Sequence, residues 1–411
     1  MVKLGSIRVM SRLVVASLIV VLVASGCGSQ PTTNAPAGNG AATTAPAKEP
    51  VKIGAIVPKS GVYTSLGENI LNGMNLYFDS IGNKAGGREI KVISEDEGAD
   101  AQTGLRVARK LVEQDKVDFL TGIVNSSIAL GVRDYVDQSK IPFMITNAGA
   151  EALTNAKKSD YIYRISFSNM QPNYSMGKYM FDKGIKKVFV IAPEYVAGHE
   201  QTDGFVKSFK AAGGTIIGSV WPPLGTSDYG AYLQQIAQAK PDAVYCFFSG
   251  SDAVNFVKGY TDFGLKKTIP LYGSGEVNAE DLRAAQGASV EGVTGGLQWM
   301  ATLTNPENVA FEAAFIKKYG KNPSAQAVYG YDAARIIADS LNAVNGDTSD
   351  KQKILDAWSK EKFNSPRGPV EFDSNHNVVQ NEYIAQTTMI DGKLQNKILA
   401  TFDKVSDPFT K

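Results

Sequence analysis

Cysteine and histidine are almost missing from these 411 residues, with two of each. Cys27 sits near the start and Cys246 inside the apolar run DAVYCFFSG, so no disulfide frame can staple the chain and its stability must come from ordinary cores. His199 and His376 lie far apart in loop-like stretches. The patterns HExxH, CxxC, GxSxG and the P-loop are absent, and with them the signatures of zinc peptidases, thiol redox proteins, serine hydrolases and P-loop nucleotidases. An enzyme is not expected, and neither is a metal or cofactor. Excess charge of one sign is missing too: 42 Lys and Arg face 41 Asp and Glu. A nucleic-acid partner is therefore not expected.

Long apolar runs are also lacking. The run Leu13–Ala24 has 12 residues, well short of the roughly 20 that span a bilayer. Lys3, Arg8 and Arg12 precede it and Ser25-Gly26-Cys27 follow, so residues 1–26 read as an export signal. Ala24-Ser25-Gly26-Cys27 resembles a bacterial lipobox, which implies lipidation at Cys27. Residues 28–50 are almost wholly Gly, Ala, Ser, Thr, Pro, Asn and Gln. Such a segment cannot bury enough apolar surface to fold. With Cys27 it makes residues 27–50 a tether that holds a domain on the order of 25 Å from its anchor. Without residues 1–26 the chain carries 39 basic and 41 acidic side chains, and about 360 residues remain for two domains.

From Val51 the chain alternates. VKIGAIVP, IKVISED, VDFLTGIV, IPFMITNAG and YIYRISFS read as strands, separated by amphipathic helices such as GENILNGMNLYFDSI. After Phe167 the alternation restarts and runs through KKVFVIAP, TIIGSVW, DAVYCFF and IPLYGSGEV. Helical patterns return at PENVAFEAAFIKKYG and YGYDAARIIADSLNAV, and GPVEFD and NEYIAQTTMI read as closing strands. Repeated β–α–β predicts an α/β fold with parallel sheets flanked by helices, here in two lobes. In such sheets ligands bind beyond the carboxyl ends of the strands.

One of those ends is Asn125-Ser126-Ser127, where an apolar strand becomes a helix. Taken alone this reads as a helix cap. At a strand end it also reads as a place where hydroxyls and free main-chain N–H groups meet an anion. The short polar loop Asn147-Ala148-Gly149-Ala150 converges on the same crevice.

The landmarks KIGAIVPKSGVYTSLGENILNGMNL, GGREIKVISEDEGADAQTGLRVARKLVEQDKVDFLTG, IPFMITNAGA, AQGASVEGV, VYGYDAARI and RGPVEFDSNHNVVQNEY occur in order. Together they resemble the type I periplasmic-binding-protein fold, in its branched-chain amino-acid-binding branch. ITNAGAEALT, SFSNMQ and EYVAGHE are similar to members that take aromatic or other small organic acids. The resemblance implies two Rossmann-like lobes and three hinge crossings, near Phe167, Gly296 and Pro366. The first lobe would be residues 51–167 with 297–365, and the second 168–296 with 366–406.

The resemblance also implies a site. Ser126, with Ser127 beside it, would hold the ligand's carboxylate with main-chain groups of Ala148 and Ala150. Tyr195 and Glu276 would face it from the second lobe, and Leu66 and Phe248 would wall it. A Thr is common in amino-acid binders where Ala150 stands. An inward Glu276 suits an α-amine, and an outward one a simple organic acid. Tyr63 reads equally as wall or rim, and Arg164, beside the first hinge, as a partner for a ligand acid or, preferably, a lock on strand ends. The implied protein is a monomeric lipid-anchored receptor outside the cytoplasmic membrane, delivering a small amino acid or related carboxylate to the permease and ATPase of an ABC importer. A ligand sensor is the alternative. Hydrolysis at Ser126 or Ser127 lacks a base, since neither His falls on a first-lobe strand end.

Overall fold

The computed structural model describes residues 48–408. The export signal, Cys27 and most of the tether lie outside the described residues. In the first half, strands and helices follow one another as β1 (Val51–Val57), α1 (Thr64–Ser80), β2 (Lys84–Ala85), β3 (Arg88–Asp96), α2 (Ala101–Arg109), β4 (Phe119–Gly122), α3 (Ser126–Ser139), β5 (Phe143–Ile145) and β6 (Ile162–Arg164). These strands form one sheet in the order β2-β3-β1-β4-β5-β6. It is parallel except for the β2–β3 pair.

The chain then builds α4 (Gln171–Asp182), β7 (Lys187–Ile191), α5 (Val196–Ala211), β8 (Thr215–Val220), α6 (Gly230–Ala239), β9 (Ala243–Cys246), α7 (Gly250–Asp262), β10 (Leu271–Ser274), α8 (Arg283–Gln286) and β11 (Thr294–Leu297). Three helices follow, α9 (Pro306–Tyr319), α10 (Ala325–Ala343) and α11 (Lys351–Trp358), and then strands β12 (Lys362–Ser365), β13 (Gly368–Phe372), β14 (Val378–Ile390) and β15 (Lys393–Val405). The second sheet runs β12-β13-β14-β11-β10-β9-β7-β8, with β15 beside β14.

The two-residue period of a strand explains the layers. Ile53 and Val57 on β1 pack with α1, α10 and Trp358 of α11, while Ile56 packs on the other face with Val107, Leu111 and Val132. In the second sheet Val188 and Val190 join Met176, Phe205 and Phe209 of α4 and α5. Their neighbours Phe189 and Ile191 join the side of α6 and α7. Helices on both faces bury both sides of each sheet, which is why the strands read as continuous apolar runs.

The last strand, β15, is one the sequence reading missed, as it missed the short β2, β11 and β12. β14 and β15 pair antiparallel through Asp391-Gly392, whose φ angles of 49° and 74° are both left-handed. A two-residue Asp-Gly turn is a strong hairpin signal. Lys393–Val405 escaped notice because it carries no regular alternation, and seven of its 13 residues are exposed.

Two buried arginines lie where the chain passes between the sheets. Arg164, fully buried, donates to the Ala150 carbonyl at 2.8 Å, to Thr154 Oγ1 at 2.6 Å and from Nε to Asn377 Oδ1 at 3.0 Å. It locks strand ends. Arg367 donates to the Ile165 and Ser166 carbonyls and pairs with Asp332 at 3.1 Å. β12 pairs with β13 and so extends the second sheet.

Candidate functional site

In the first sheet β1 is flanked by β3 and β4, and in the second β7 is flanked by β8 and β9. The chain therefore reverses its direction of winding beside β1 and beside β7, and the loops there part to leave a crevice. The loops after β1 and β4 supply Tyr63, Val124 and Ser126, and those after β7 and β9 supply Tyr195, Phe247 and Ser249. These six residues line one small, nearly closed cavity of about 10 Å3. Asn147, Gly149, Phe167, Asn169, Gln201 and Glu276 complete its polar and aromatic walls. No Lys, Arg or His is among the lining residues.

The turn that presents Ser126 is strained. Gly122 and Ile123 have φ of 108° and 59°, and a left-handed β-branched residue costs on the order of 1–3 kcal/mol. Ile123 is nonetheless fully buried, with its N–H bonded to the Ile56 carbonyl. Most donors at the start of α3 are already engaged. Asn125 is the cap, its side-chain oxygen accepting from the Ser127 and Ile128 N–H groups at 2.8 and 3.4 Å. Glu97, buried at the end of β3, accepts from Val124 N and Asn125 N at 2.7 and 3.2 Å. Burial pushes the Glu97 carboxyl up to about 7, against the pull of those two N–H groups. For the N–H groups of Val124, Asn125, Ser127 and Ile128 the expectation of waiting donors is corrected: a carboxylate and an amide of the protein itself take them. What Ser126 offers the cavity is its hydroxyl.

That hydroxyl accepts from Asn169 Nδ2 at 3.3 Å, and Asn169 Nδ2 also donates to Glu200 Oε2 at 2.7 Å. Gln201 Nε2 approaches Asn169 Oδ1 at 3.5 Å, Asn173 donates to Gln201, and Tyr245 donates to Asn173. A chain of neutral side chains thus reaches from the cavity into the second lobe. Sequence reading missed Asn169 and Gln201 because they sit beside and on the helices α4 and α5 rather than on strand ends. The phrase SFSNMQ held the signal.

Across the cavity the Tyr63 phenol donates to the Tyr195 phenol at 2.7 Å. Burial raises both phenols above the usual range. Tyr195 also stacks on Phe247, with ring centres 6.3 Å apart at 26°. Glu276, in the loop after β10, turns inward. Burial raises its carboxyl, opposed by its own N–H and the Ser274 hydroxyl.

Three of the residues expected from sequence, Ser126, Tyr195 and Glu276, line the cavity, and the others do not. Ser127 is half-buried and does not line it. Ala148 and Ala150 are buried behind the wall, where Ala148 N donates to the Ile123 carbonyl and the Ala150 carbonyl accepts from Arg164. Leu66 is core of the first lobe, because the first turn of α1 aims it inward and leaves Tyr63 at the cavity. Phe248 stacks on Phe256 with centres 4.4 Å apart, inside the second lobe. Its neighbour Phe247 faces the cavity instead, the one-residue flip of strand geometry. Neither histidine lines the cavity: His199 lies against Trp221 and His376 stacks on Tyr163.

Residues 50–393 match the family model described as periplasmic binding protein. The chain belongs to that family. A Leu/Ile/Val-binding protein homolog of Brucella melitensis is 31% identical over 369 residues, covering 88% of this chain and 94% of the relative. A solute-binding protein of an ABC transporter from R. palustris, solved with benzoate, has 34% identity and a TM-score of 0.84 over 87% of this chain and 98% of that one. A second from R. palustris, solved with 4-hydroxybenzoate, has 31% identity and a TM-score of 0.83 over 88% and 99%. The expected fold, parallel sheets flanked by helices in a periplasmic binding protein, is borne out. No helix among the described residues is long and apolar enough to cross a membrane.

Proposed function

We propose that this binding protein captures a small single-ring carboxylic acid between its lobes and hands it to the permease of an ABC importer. The observation that carries the reading is a cavity with aromatic walls, a buried serine hydroxyl at a helix start, and no cation. Tyr63 and Phe167 on one side and Tyr195 and Phe247 on the other form walls suited to a flat ring. In this arrangement the cavity volume is only about 10 Å3, room for about one water, so a ring would be admitted only as the Tyr63–Tyr195 contact parts and the walls separate. Neutral donors from Ser126, Asn147 and Asn169 would hold the carboxylate. The aromatic acids seen in two similar structures support this choice.

Export by residues 1–26 and lipid anchoring through Cys27 complete the proposal, with the protein acting as a monomer. The lobes would turn at crossings near Phe167, Gly296 and Pro366, closing on the ligand by a hinge. A branched-chain amino acid is the second reading, favoured by the inward Glu276, which could face an α-ammonium. Its relatives named for Leu, Ile and Val support it.

The test is a thermal-shift series with benzoate, 4-hydroxybenzoate and L-leucine, because a ligand at 100 times its Kd stabilises the folded state by about 2.7 kcal/mol. The aromatic acids should raise Tm and leucine should not. The reverse order would replace the first reading with the second.

A further inference from the structure

Two glutamates that do not line the cavity tie the lobes together reciprocally. Glu151 stands in the loop after β5, in the first lobe, and Glu200 on α5, in the second. Glu200 Oε2 accepts from the Glu151 main-chain N–H at 3.1 Å. Glu151 Oε1 accepts from the Met170 N–H, just before α4, at 2.7 Å. With the crossing near Phe167, Met170 belongs to the second lobe, so each acid grips backbone of the lobe opposite. Both grips break when the lobes part. Asn169 joins this seam to the cavity, donating to Glu200 Oε2 at 2.7 Å and to the Ser126 hydroxyl at 3.3 Å.

The seam is rich in acids. Asn155 Nδ2 lies 3.5 Å from Glu151 Oε2 and 3.3 Å from Asp407 Oδ2, which brings Asp407 up to Glu151. Asp203, one turn along α5, faces Glu200. Arg164 on β6 is the cation that faces Glu151, Glu200, Asp407 and Asp373 together. Its guanidinium is already committed to the Ala150 carbonyl, Thr154 and Asn377. Carboxyls gathered this closely around one cation hold protons more tightly than free ones. Burial, and after it Asp407, pushes the Glu151 carboxyl up to about 8, against the pull of Arg164 and the Met170 N–H. Burial raises Glu200 as well.

We propose that Glu151 and Glu200 form a proton-dependent latch between the lobes, so that the protein takes up protons as it closes and closes more readily in acid. This rests on the hinge closure proposed above and not on which ligand is bound. Opening exposes Glu151 and returns its carboxyl toward its ordinary value near 4.5, so the closed form holds more protons between about 4.5 and 8. The latch is complete at the acid end of that window and is lost as pH rises through about 8. Each proton taken up shifts the ratio of closed to open forms by up to about tenfold per pH unit there. A glutamine at either position keeps an acceptor for the same N–H and cannot titrate.

Small-angle scattering of the purified protein between pH 5 and 8.5 tests this, with Glu151→Gln, Glu200→Gln and the double variant alongside. The radius of gyration should be smaller at pH 5 than at pH 8.5, and the double variant should stay compact throughout. Should Glu151→Gln fail to fold, Glu200→Gln alone should still narrow the difference. A radius independent of pH overturns the inference, as does a pH dependence unchanged in the glutamine variants. Compaction at pH 8.5 on adding benzoate or L-leucine, with no response to pH, also overturns it while leaving the hinge in place. No change with pH or with either compound overturns the hinge closure itself.

Discussion

Gly250 begins α7 with φ of 57°, and a Cβ built there overlaps the Val62 carbonyl oxygen and lies 3.1 Å from its carbonyl carbon. Val62 belongs to the first lobe and Gly250 to the second, and Ser251 N donates to the same carbonyl at 3.2 Å. Gly250→Ala therefore has two separable effects. A left-handed alanine costs roughly 1–2 kcal/mol wherever the lobes stand, which lowers overall stability. Under the proposed hinge motion the overlap exists only when the lobes are closed. Relieving it forfeits the Ser251 bond, worth about 1 kcal/mol, together with close packing at the seam. A penalty on closure of roughly 2 kcal/mol weakens binding about 30-fold. Titration calorimetry reads the affinity, and small-angle scattering with saturating ligand reads the closure. Gly250 is not among the cavity-lining residues, so affinity within twofold of the original would refute the closed arrangement as the binding-competent one.

Ser126→Ala should weaken carboxylate binding about tenfold while moving the unliganded Tm by only a few degrees, both read by thermal shift. Tyr195→Phe removes the acceptor of the Tyr63 bond between the lobes and should speed ligand release several-fold in stopped-flow fluorescence. Arg164→Met strips four hydrogen bonds from a fully buried position and should cost roughly 3–5 kcal/mol in urea unfolding. Glu97 has its folded pKa raised to about 7 from an ordinary value near 4.5. Its contribution is fully present below about pH 4.5 and is lost as pH rises through about 7. At 1.36 kcal/mol per unit it amounts to roughly 3 kcal/mol. Glu97→Gln should flatten that part of the fall in stability between about pH 4.5 and 7, and an unchanged slope would remove Glu97 as its cause.

What the sequence made legible followed from periodicity and topology. Apolar runs located most strands of both sheets, though not β2 or β11, and the rule that ligands sit beyond strand ends pointed to Ser126, while Tyr195 and Glu276 came from the family resemblance. The misplacements were matters of parity and helix phase. Phe247 and Phe248 are indistinguishable in a run where both are apolar, and only the pleat decides which faces the cavity. Leu66 and Tyr63 trade places because α1 starts at Thr64, earlier than its apolar rhythm indicates. The occupied donors at α3 were invisible because Glu97 lies 27 residues before Val124, and nothing local ties an acid at the end of one strand to amides after the next.

The lack of a cation around the cavity has a consequence for the handover. With no counter-ion to shield, capture should be nearly independent of ionic strength, unlike sites that clamp an anion with arginine. The groups that grip the guest would be dipoles, each of which loses its hold as the lobes swing apart. Unloading at the membrane then needs no incoming ion to exchange, only the geometry of opening.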